Sequence, residues 1–159
     1  AAGAIPRLID MGVEPFLLVS TVRVIVGQRL VRKLCESKEP YALDKTMRAK
    51  IAGEEVFNTA FQALQDEKLV KKGSTLDDTP FYRPVPSPEC EDGYKSRIGI
   101  HEVLAVSPAI REIMLHSGTS DALETQAKKE GMLTMLEDGL YKAARGITSL
   151  EEVLRTVNE

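Results

Sequence analysis

The chain contains no tryptophan, and its aromatic residues make up only 5% of 159 residues. Its core is therefore expected to be largely aliphatic. It has two cysteines, too few for the disulfide framework of a small secreted domain. No apolar run approaches the ~20 residues needed to span a bilayer, and no signal-peptide pattern is visible. These absences favour a protein of a reducing cytoplasm.

The charge also disfavours some partners. The formal net charge is −3 at pH 7, so the chain lacks the basic excess of a nucleic-acid-binding protein or an anionic-membrane binder. Its length suits one domain of ordinary size or two very small ones. Residues 1–5, AAGAI, have no initiator methionine and resemble the middle of an element, which indicates a piece of a longer protein.

Residues 22–35 and 97–106 have the two-residue spacing of half-buried strands. In the first stretch the side predicted to be apolar holds Val22, Val24, Val26 and Leu30, and the other side holds Arg23, Arg29 and Lys33. In the second stretch the apolar side holds Ile98, Ile100, Leu104 and Val106. We expect these two strands to be antiparallel neighbours.

The stretch between the two strands is predicted to be mostly helical. Residues 44–72 favour two helices that meet near Gly53, with a stripe of Phe57, Phe61 and Leu64 that forms their own core unless it is exposed for a partner. Residues 36–41 are typical of a loop. Residues 81–85 indicate an edge strand, because Pro84 cannot occupy a central one.

Residues 107–159 are predicted to be C-terminal helices with clear start signals. Ser107-Pro108, Thr134-x-x-Glu137 and Thr148-x-x-Glu151 are capping sequences. The predicted fold class is α+β, mainly helical with a small antiparallel sheet. We expect the sheet's apolar face to cover the helix of Phe16 and the helices of residues 136–154.

Three segments of the chain resemble one family. Residues 1–35, AAGAIPRLIDMGVEPFLLVSTVRVIVGQRLVRKLC, are similar to the segment that follows the catalytic core in the secretion ATPases of type IV pilus assembly and type II secretion. GYKSRIGIHEVL at 93–104 resembles that family's second strand, and EDGLYKAARGITSLEEVLR at 137–155 resembles its C-terminal helices. The three segments follow the family's order, whereas residues 40–89 lie outside this resemblance.

The resemblance implies that residues 1–159 are a C-terminal subdomain of a RecA-like homohexameric ATPase. The parent protein would bind ATP and Mg²⁺ in the cytoplasm, peripherally at the inner membrane, and would contact an inner-membrane platform protein. The sequence has no G-x-x-x-x-G-K-[ST] phosphate-binding loop. Because phosphoryl transfer needs that cradle, we expect no catalysis by this chain alone, which would serve hexamer packing and platform contacts. Pilus assembly, pilus retraction and type II secretion stay open.

The resemblance also bears on the two cysteines. Many relatives carry two Cys-x-x-Cys pairs that bind a structural zinc, whereas this chain has CESK at 35–38 and SPEC at 87–90. We interpret Cys35 and Cys90 as remnants of a lost zinc knuckle, with the helical insertion 40–89 in its place and no metal. Zinc held by Cys35, Cys90 and Glu36 is disfavoured. A Cys35–Cys90 disulfide fits paired strands but is disfavoured in a reducing cytoplasm.

Gln28 and Arg29 are the candidate nucleotide-proximal residues. The resemblance places their strand close to the nucleotide-binding core, and arginine suits phosphate. The simpler interpretation is that Arg29 is a solvated strand residue or an interface ion pair, and that Arg32 and Lys33 are surface charges. No catalytic set stands out. The alternative functions are a free-standing helical protein-interaction adaptor without motor activity and a small metal- or redox-binding protein.

Overall fold

The computed structural model describes residues 1–71, 73–116 and 118–158, which form two compact units. Unit 1 comprises Ala1–Gly27 and His101–Thr134, and unit 2 comprises Gln28–Ile100 and the chain from Met135 onward. The elements in chain order are α1 (Ala4–Asp10), α2 (Pro15–Thr21), β1 (Val24–Leu34), β2 (Lys38–Tyr41), α3 (Lys45–Ile51), α4 (Glu54–Asp66), a 3₁₀ turn (Leu76–Asp78), β3 (Phe81–Pro84), β4 (Tyr94–Ala105), α5 (Pro108–Leu115), α6 (Ser120–Lys129), α7 (Met135–Ala144) and α8 (Leu150–Asn158).

The two longest strands, β1 and β4, pair with each other as the sequence predicts. The Val106 N–H donates to the Arg23 carbonyl at 2.9 Å, and the Cys35 N–H donates to the Gly93 carbonyl at 3.0 Å. The beginning of one strand therefore lies beside the end of the other, so the pair is antiparallel. The chain is thus of mixed α and β structure with a small antiparallel sheet.

The predicted buried side of β1 is wrong. Val24, Val26 and Leu30 are 51%, 54% and 50% exposed, whereas Val31 is fully buried and Ile25 half-buried. Both sides of this strand carry branched apolar residues, so alternation offers two acceptable faces and tertiary packing selects one. The face predicted for β4 is the buried one, because Ile100, Leu104 and Val106 are all buried.

Unit 1 has the aliphatic core that the composition indicates. Its buried residues include no aromatic side chain and are Ala2, Ile5, Leu18, Leu104, Val106, Ile110, Met114, Leu123, Ala127 and Met132. The helix of Phe16, α2, contributes Leu18 to this core together with Leu104 of β4, whereas Phe16 itself is 61% exposed. The Ser107 hydroxyl accepts the Ile110 N–H at 3.1 Å, which confirms the predicted start of α5.

In unit 2, β2 and β3 form a second antiparallel pair, in register from Lys38↔Pro84 to Tyr41↔Phe81. The strand at 81–85 is confirmed, but the loop predicted at 36–41 is wrong from Lys38 onward. The polar, proline-containing sequence KEPY carries no local strand signal, so its conformation depends on a partner some forty residues away.

The stripe on α4 is core. Phe57 and Leu64 are buried, and they pack with Phe81 of β3 and Leu140 of α7. As predicted, two helices meet at Gly53, which has a positive φ of 79°. The second helix ends at Asp66, earlier than expected, and Lys72 lies outside the described residues. The buried aromatic residues of the described chain therefore lie in unit 2, where the middle of the chain packs on the C-terminal helices.

Arg48 holds together the part of unit 2 around α3. Its side chain is buried, and its guanidinium contacts Glu54 at 3.2 Å and Asp77 at 2.6 Å. It also donates to the Leu43 carbonyl. Because a buried guanidinium must find acceptors for its donors, this one side chain fixes the approach of α3, α4 and the 3₁₀ turn.

Gly139 provides a test of the packing of α7 on α8. A Cβ at Gly139 would overlap Cγ1 of Val153 and lie 3.2 Å from its Cγ2. Val153 is fully buried and its χ1 is restricted, so it cannot move aside cheaply. We expect Gly139→Ala to lower the free energy of unfolding by about 1–2 kcal/mol, because overpacking outweighs the gain in helix propensity.

The measurement is urea unfolding of the single variants and of Gly139→Ala/Val153→Ala. Removing both γ-methyl groups of Val153 makes room for the new methyl group, so the double variant should be more stable than the sum of the two single changes predicts. Strict additivity would contradict this packing.

Candidate functional site

A connected polar cluster of unit 2 lies where the end of β1 meets the start of α8. Glu152, whose side chain is 3% exposed, accepts from the Arg32 guanidinium at 2.6 Å and from the Arg32 backbone N–H at 3.1 Å. The Arg155 guanidinium contacts the same carboxylate at 3.1 Å. One buried carboxylate thus binds both the backbone and the side chain of a strand residue.

The start of α8 explains why Glu152 points inward. The Glu152 N–H donates to the Ser149 hydroxyl at 3.2 Å, so Ser149 caps the helix, and the capping sequence predicted at Thr148 and Glu151 is wrong by one residue. The Thr148 hydroxyl instead donates to the Arg32 carbonyl at 2.7 Å. Thr148 and Ser149 are each followed by glutamate at the same spacing, so local sequence cannot choose between them.

Residues at the start of β4 complete the cluster around Arg32. Its guanidinium lies 4.1 Å from the centre of the Tyr94 ring, and it contacts Asp92 at 2.8 Å. The Tyr94 hydroxyl is 2.7 Å from the Ser149 hydroxyl. Arg32 therefore joins β1, the approach to β4 and the start of α8.

Two opposing effects set the charge of Glu152. Burial favours the neutral acid and by itself would raise its pKa. The hydrogen bonds from the Arg32 and Arg155 side chains and from the Arg32 backbone outweigh burial and lower the pKa of Glu152 to about 2. The same ion pair raises the pKa of Arg32, against the effect of burial. The cluster is ionised at neutral pH, so it serves as a fixed clamp and not as a proton-transfer site.

The sequence does not single out the pairing of Arg32 with Glu152: Arg32 is predicted to be a surface charge, and the predicted capping residue is the neighbouring Glu151. The two residues are 120 positions apart. No spacing rule reports such a pairing, since helix and strand periodicities reach only a few residues. The charge alternation along β1 was visible, but it does not show which basic residue turns toward a helix.

Both predicted nucleotide-proximal residues lie on the exposed part of β1. Gln28 is exposed, and the Arg29 side chain donates to the Thr156 carbonyl near the end of α8. The partial negative charge at a helix C-terminus suits a guanidinium. Arg29 and Arg32 thus contact the two ends of the same helix. Their relation to a nucleotide stays a prediction.

Cys35 and Cys90 are joined as a disulfide, with their Cα atoms 6.7 Å apart. The expectation that this bond is disfavoured, which rests on a reducing compartment, is therefore wrong for this structure, whereas its fit to paired strands is confirmed. Within the described ranges, no cluster of three or more histidine, cysteine, aspartate or glutamate side chains is arranged to hold a metal ion. In the disulfide form neither sulfur is available as a thiolate ligand for zinc.

Comparison with known proteins identifies the family. The family model described as "Type II/IV secretion system protein" matches residues 1–155. The chain is 38% identical to the type II secretion system ATPase E of Vibrio cholerae over 161 residues, which cover all of this chain and 28% of that relative. It is 36% identical to the type IV pilus assembly ATPase PilB of Pseudomonas aeruginosa over 163 residues, covering all of this chain and 25% of that relative.

The chain therefore belongs to the type II/IV secretion system protein family. The resemblance seen in the sequence is confirmed. The matched range includes residues 40–89, which that resemblance did not cover. The chain spans about a quarter of the length of these curated relatives. Among the helices of the described residues, none has the length and apolar character needed to cross a membrane.

The low pKa of Glu152 predicts how stability depends on pH. The folded-state pKa of about 2 lies below the ordinary value of 4.5, so the stabilisation is complete above pH 4.5 and is lost as the pH falls toward 2. The difference corresponds to about 3 kcal/mol. We expect Glu152→Gln to reduce the free energy of unfolding at pH 7 and to flatten its decrease between pH 5 and pH 2.5.

Urea unfolding at several pH values measures this effect. Glu151→Gln is the matched control, because Glu151 is the exposed neighbour on the same helical turn. This variant should keep the acid dependence of the unchanged chain. Equal slopes for Glu152→Gln and Glu151→Gln would show that the clamp does not hold α8 on β1.

Proposed function

We propose that the chain is the C-terminal part of a motor ATPase that powers type IV pilus assembly or type II secretion. The observation that carries this proposal is the family match over residues 1–155, supported by whole-chain identity to ATPases of both systems. In this proposal the larger protein is a RecA-like homohexamer that binds ATP and Mg²⁺ at the cytoplasmic face of the inner membrane.

The role of this part is mechanical. The sequence lacks a phosphate-binding loop. The arginines of β1 that would suit a phosphate are engaged with α8, Arg29 at its C-terminal end and Arg32 at Glu152. Such contacts support a rigid body that transmits force and packs against neighbours. They do not support an independent catalytic centre. Gln28 and Arg29 come near nucleotide only within the assembled parent.

The exposed apolar side chains of unit 1 support a packing role. Val24 and Val26 of β1 and Val103 of β4 are each about half exposed on strands that pair with each other. Apolar side chains gathered on a sheet face are typical of a contact surface. We assign this surface to contacts within the secretion or pilus machine, including the inner-membrane platform protein.

Residues 40–89 stand in place of a zinc knuckle in this proposal. Cys35 and Cys90 lie at the two ends of the segment, and the β2–β3 pair closes it further along. Packing of Phe57 and Leu64 against Leu140 supplies the rigidity that a metal would otherwise provide. The alternative of a free-standing adaptor has no comparable support, because the family match covers residues 1–155.

The first prediction of this proposal concerns nucleotide. Titration of the 159-residue chain with MgATP in a calorimeter should give no saturable binding up to about 1 mM. The binding free energy is then weaker than about −4 kcal/mol. The physical reason is that one arginine without a phosphate cradle gives no preorganised site. Saturable micromolar binding, or hydrolysis that survives repurification, would contradict the mechanical role.

The second prediction concerns the platform protein. The chain should bind the purified cytoplasmic region of a platform protein from a type II secretion or type IV pilus system, and Val26→Asp should weaken that binding at least tenfold, about 1.4 kcal/mol. A charge at the centre of an apolar contact must be desolvated without a partner. Biolayer interferometry with both platform proteins gives the affinities and separates the two systems.

Met11→Asp is the matched control, because Met11 is an exposed apolar residue of the same unit that lies outside the sheet. Circular dichroism should show both variants folded. No binding to either platform region, or equal losses in both variants, would refute the assignment of this surface.

A further inference from the structure

The disulfide lies at a junction in unit 2. Cys35 immediately follows β1, and Cys90 precedes β4 by a few residues, so the two cysteines are 55 positions apart in the sequence. The bond therefore closes the base of the segment that contains β2, α3, α4 and β3. It stands where the β1–β4 pair ends and the β2–β3 pair begins.

A backbone hydrogen bond also joins the two segments at this point. The Cys35 N–H donates to the Gly93 carbonyl at 3.0 Å. Ser87 and Cys90 exchange two backbone hydrogen bonds of 2.9 Å. Both bonds lie within one loop and do not join it to the segment around Cys35. The disulfide is thus the covalent part of a junction that also contains a backbone hydrogen bond between the two segments.

The bond is accessible to a small thiol. It borders an open groove of about 640 Å³ whose lining includes Lys33, Lys95, Glu36 and Glu89 beside the two cysteines. Cys35 is half-buried, whereas Cys90 is buried, so Cys35 is the more exposed end of the bond. The two lysines favour thiolates, partly opposed by the two glutamates.

The remainder of the segment does not depend on the disulfide. Phe57 and Leu64 pack against Leu140, and β2 stays paired with β3. Opening the bond therefore affects the junction and leaves the core in place. The loop that carries Cys90 also carries Asp92, which contacts Arg32 at 2.8 Å. Loosening of the junction therefore also affects the Asp92–Arg32 contact at the edge of the polar cluster around Glu152.

We propose that Cys35 and Cys90 form a reversible thiol–disulfide site that locks this junction when oxidised and is opened by a dithiol. A dithiol thiolate attacks the Cys35 sulfur, the S–S bond breaks, and Cys90 leaves as a thiolate that takes up a proton. The second thiol of the reductant then releases Cys35 and closes its own disulfide. Two electrons pass from the dithiol to the protein, and the reverse reaction needs an oxidised dithiol.

This inference does not depend on the motor assignment. In a reducing compartment the open form prevails, and oxidising conditions close it. Disulfides of proteins in such compartments are usually transient or redox-sensing. Because this disulfide borders an open groove, a reversible role suits it better than the role of a permanent structural bond.

The test uses the full 159-residue chain. Non-reducing peptide mapping by mass spectrometry, with trapping of free thiols, measures the fraction linked at graded ratios of oxidised to reduced dithiothreitol. Hydrogen exchange of the two forms follows under the same conditions. We expect a linked Cys35–Cys90 peptide that dithiothreitol cleaves without denaturant, and at least about tenfold faster exchange at residues 35–37 and 87–93 in the reduced form.

Cys35→Ser/Cys90→Ser is the control for the reductant itself. Its exchange should match the reduced chain and should not change when dithiothreitol is added. Protection in α4 and α7 should be the same in every form, because their packing does not involve the junction.

Three results would overturn the proposal. The linked peptide fails to form under oxidising conditions, or it resists excess dithiothreitol in the folded chain. Alternatively, reduction abolishes protection in α4 and α7, which would make the disulfide a permanent staple of the unit. Neither platform binding nor ATP binding enters these measurements, so they are independent of the proposed function.

Discussion

The burial of the Glu152 carboxylate is the constraint on which much of unit 2 depends. A carboxylate that is 3% exposed must either take up a proton or be surrounded by donors. Three donor groups from Arg32 and Arg155 meet this requirement and keep it charged. Because two of these donors belong to one residue of β1, the carboxylate sets both the position and the rotation of α8 against that strand.

The other contacts of α8 follow from the orientation of Glu152. Once Glu152 faces β1, Ser149 becomes the helix cap and the Thr148 hydroxyl reaches the Arg32 carbonyl. The same rotation brings Val153 onto Gly139, where only a residue without a side chain allows α7 to approach so closely. Polar and apolar contacts of α8 thus agree, and each would be lost if the helix turned by one residue.

The sequence predicted the elements better than it predicted their faces. Two-residue spacing identified β1 and β4, and local capping residues such as Ser107 identified helix starts, because both signals are short-range. It failed at β2, whose KEPY sequence becomes a strand only through β3. It also exchanged the two sides of β1, since Ile25 and Val31 are as apolar as Val24 and Val26. Choices between equivalent faces require contacts that no local pattern contains.

The candidate site shows the same limit. Gln28 and Arg29 were found through a family resemblance, and Arg32 was passed over because nothing near it in the chain marks it. Yet Arg32 contacts Asp92 and Tyr94 at the start of β4 and Glu152 at the start of α8, two distant parts of the chain. The family resemblance predicts phosphate contacts for the basic residues of this strand, whereas in the structure Arg29 and Arg32 hold a helix. The arginines of β1 therefore have a structural role, because they hold α8. Any contact with nucleotide must compete with α8 for the same guanidinium groups.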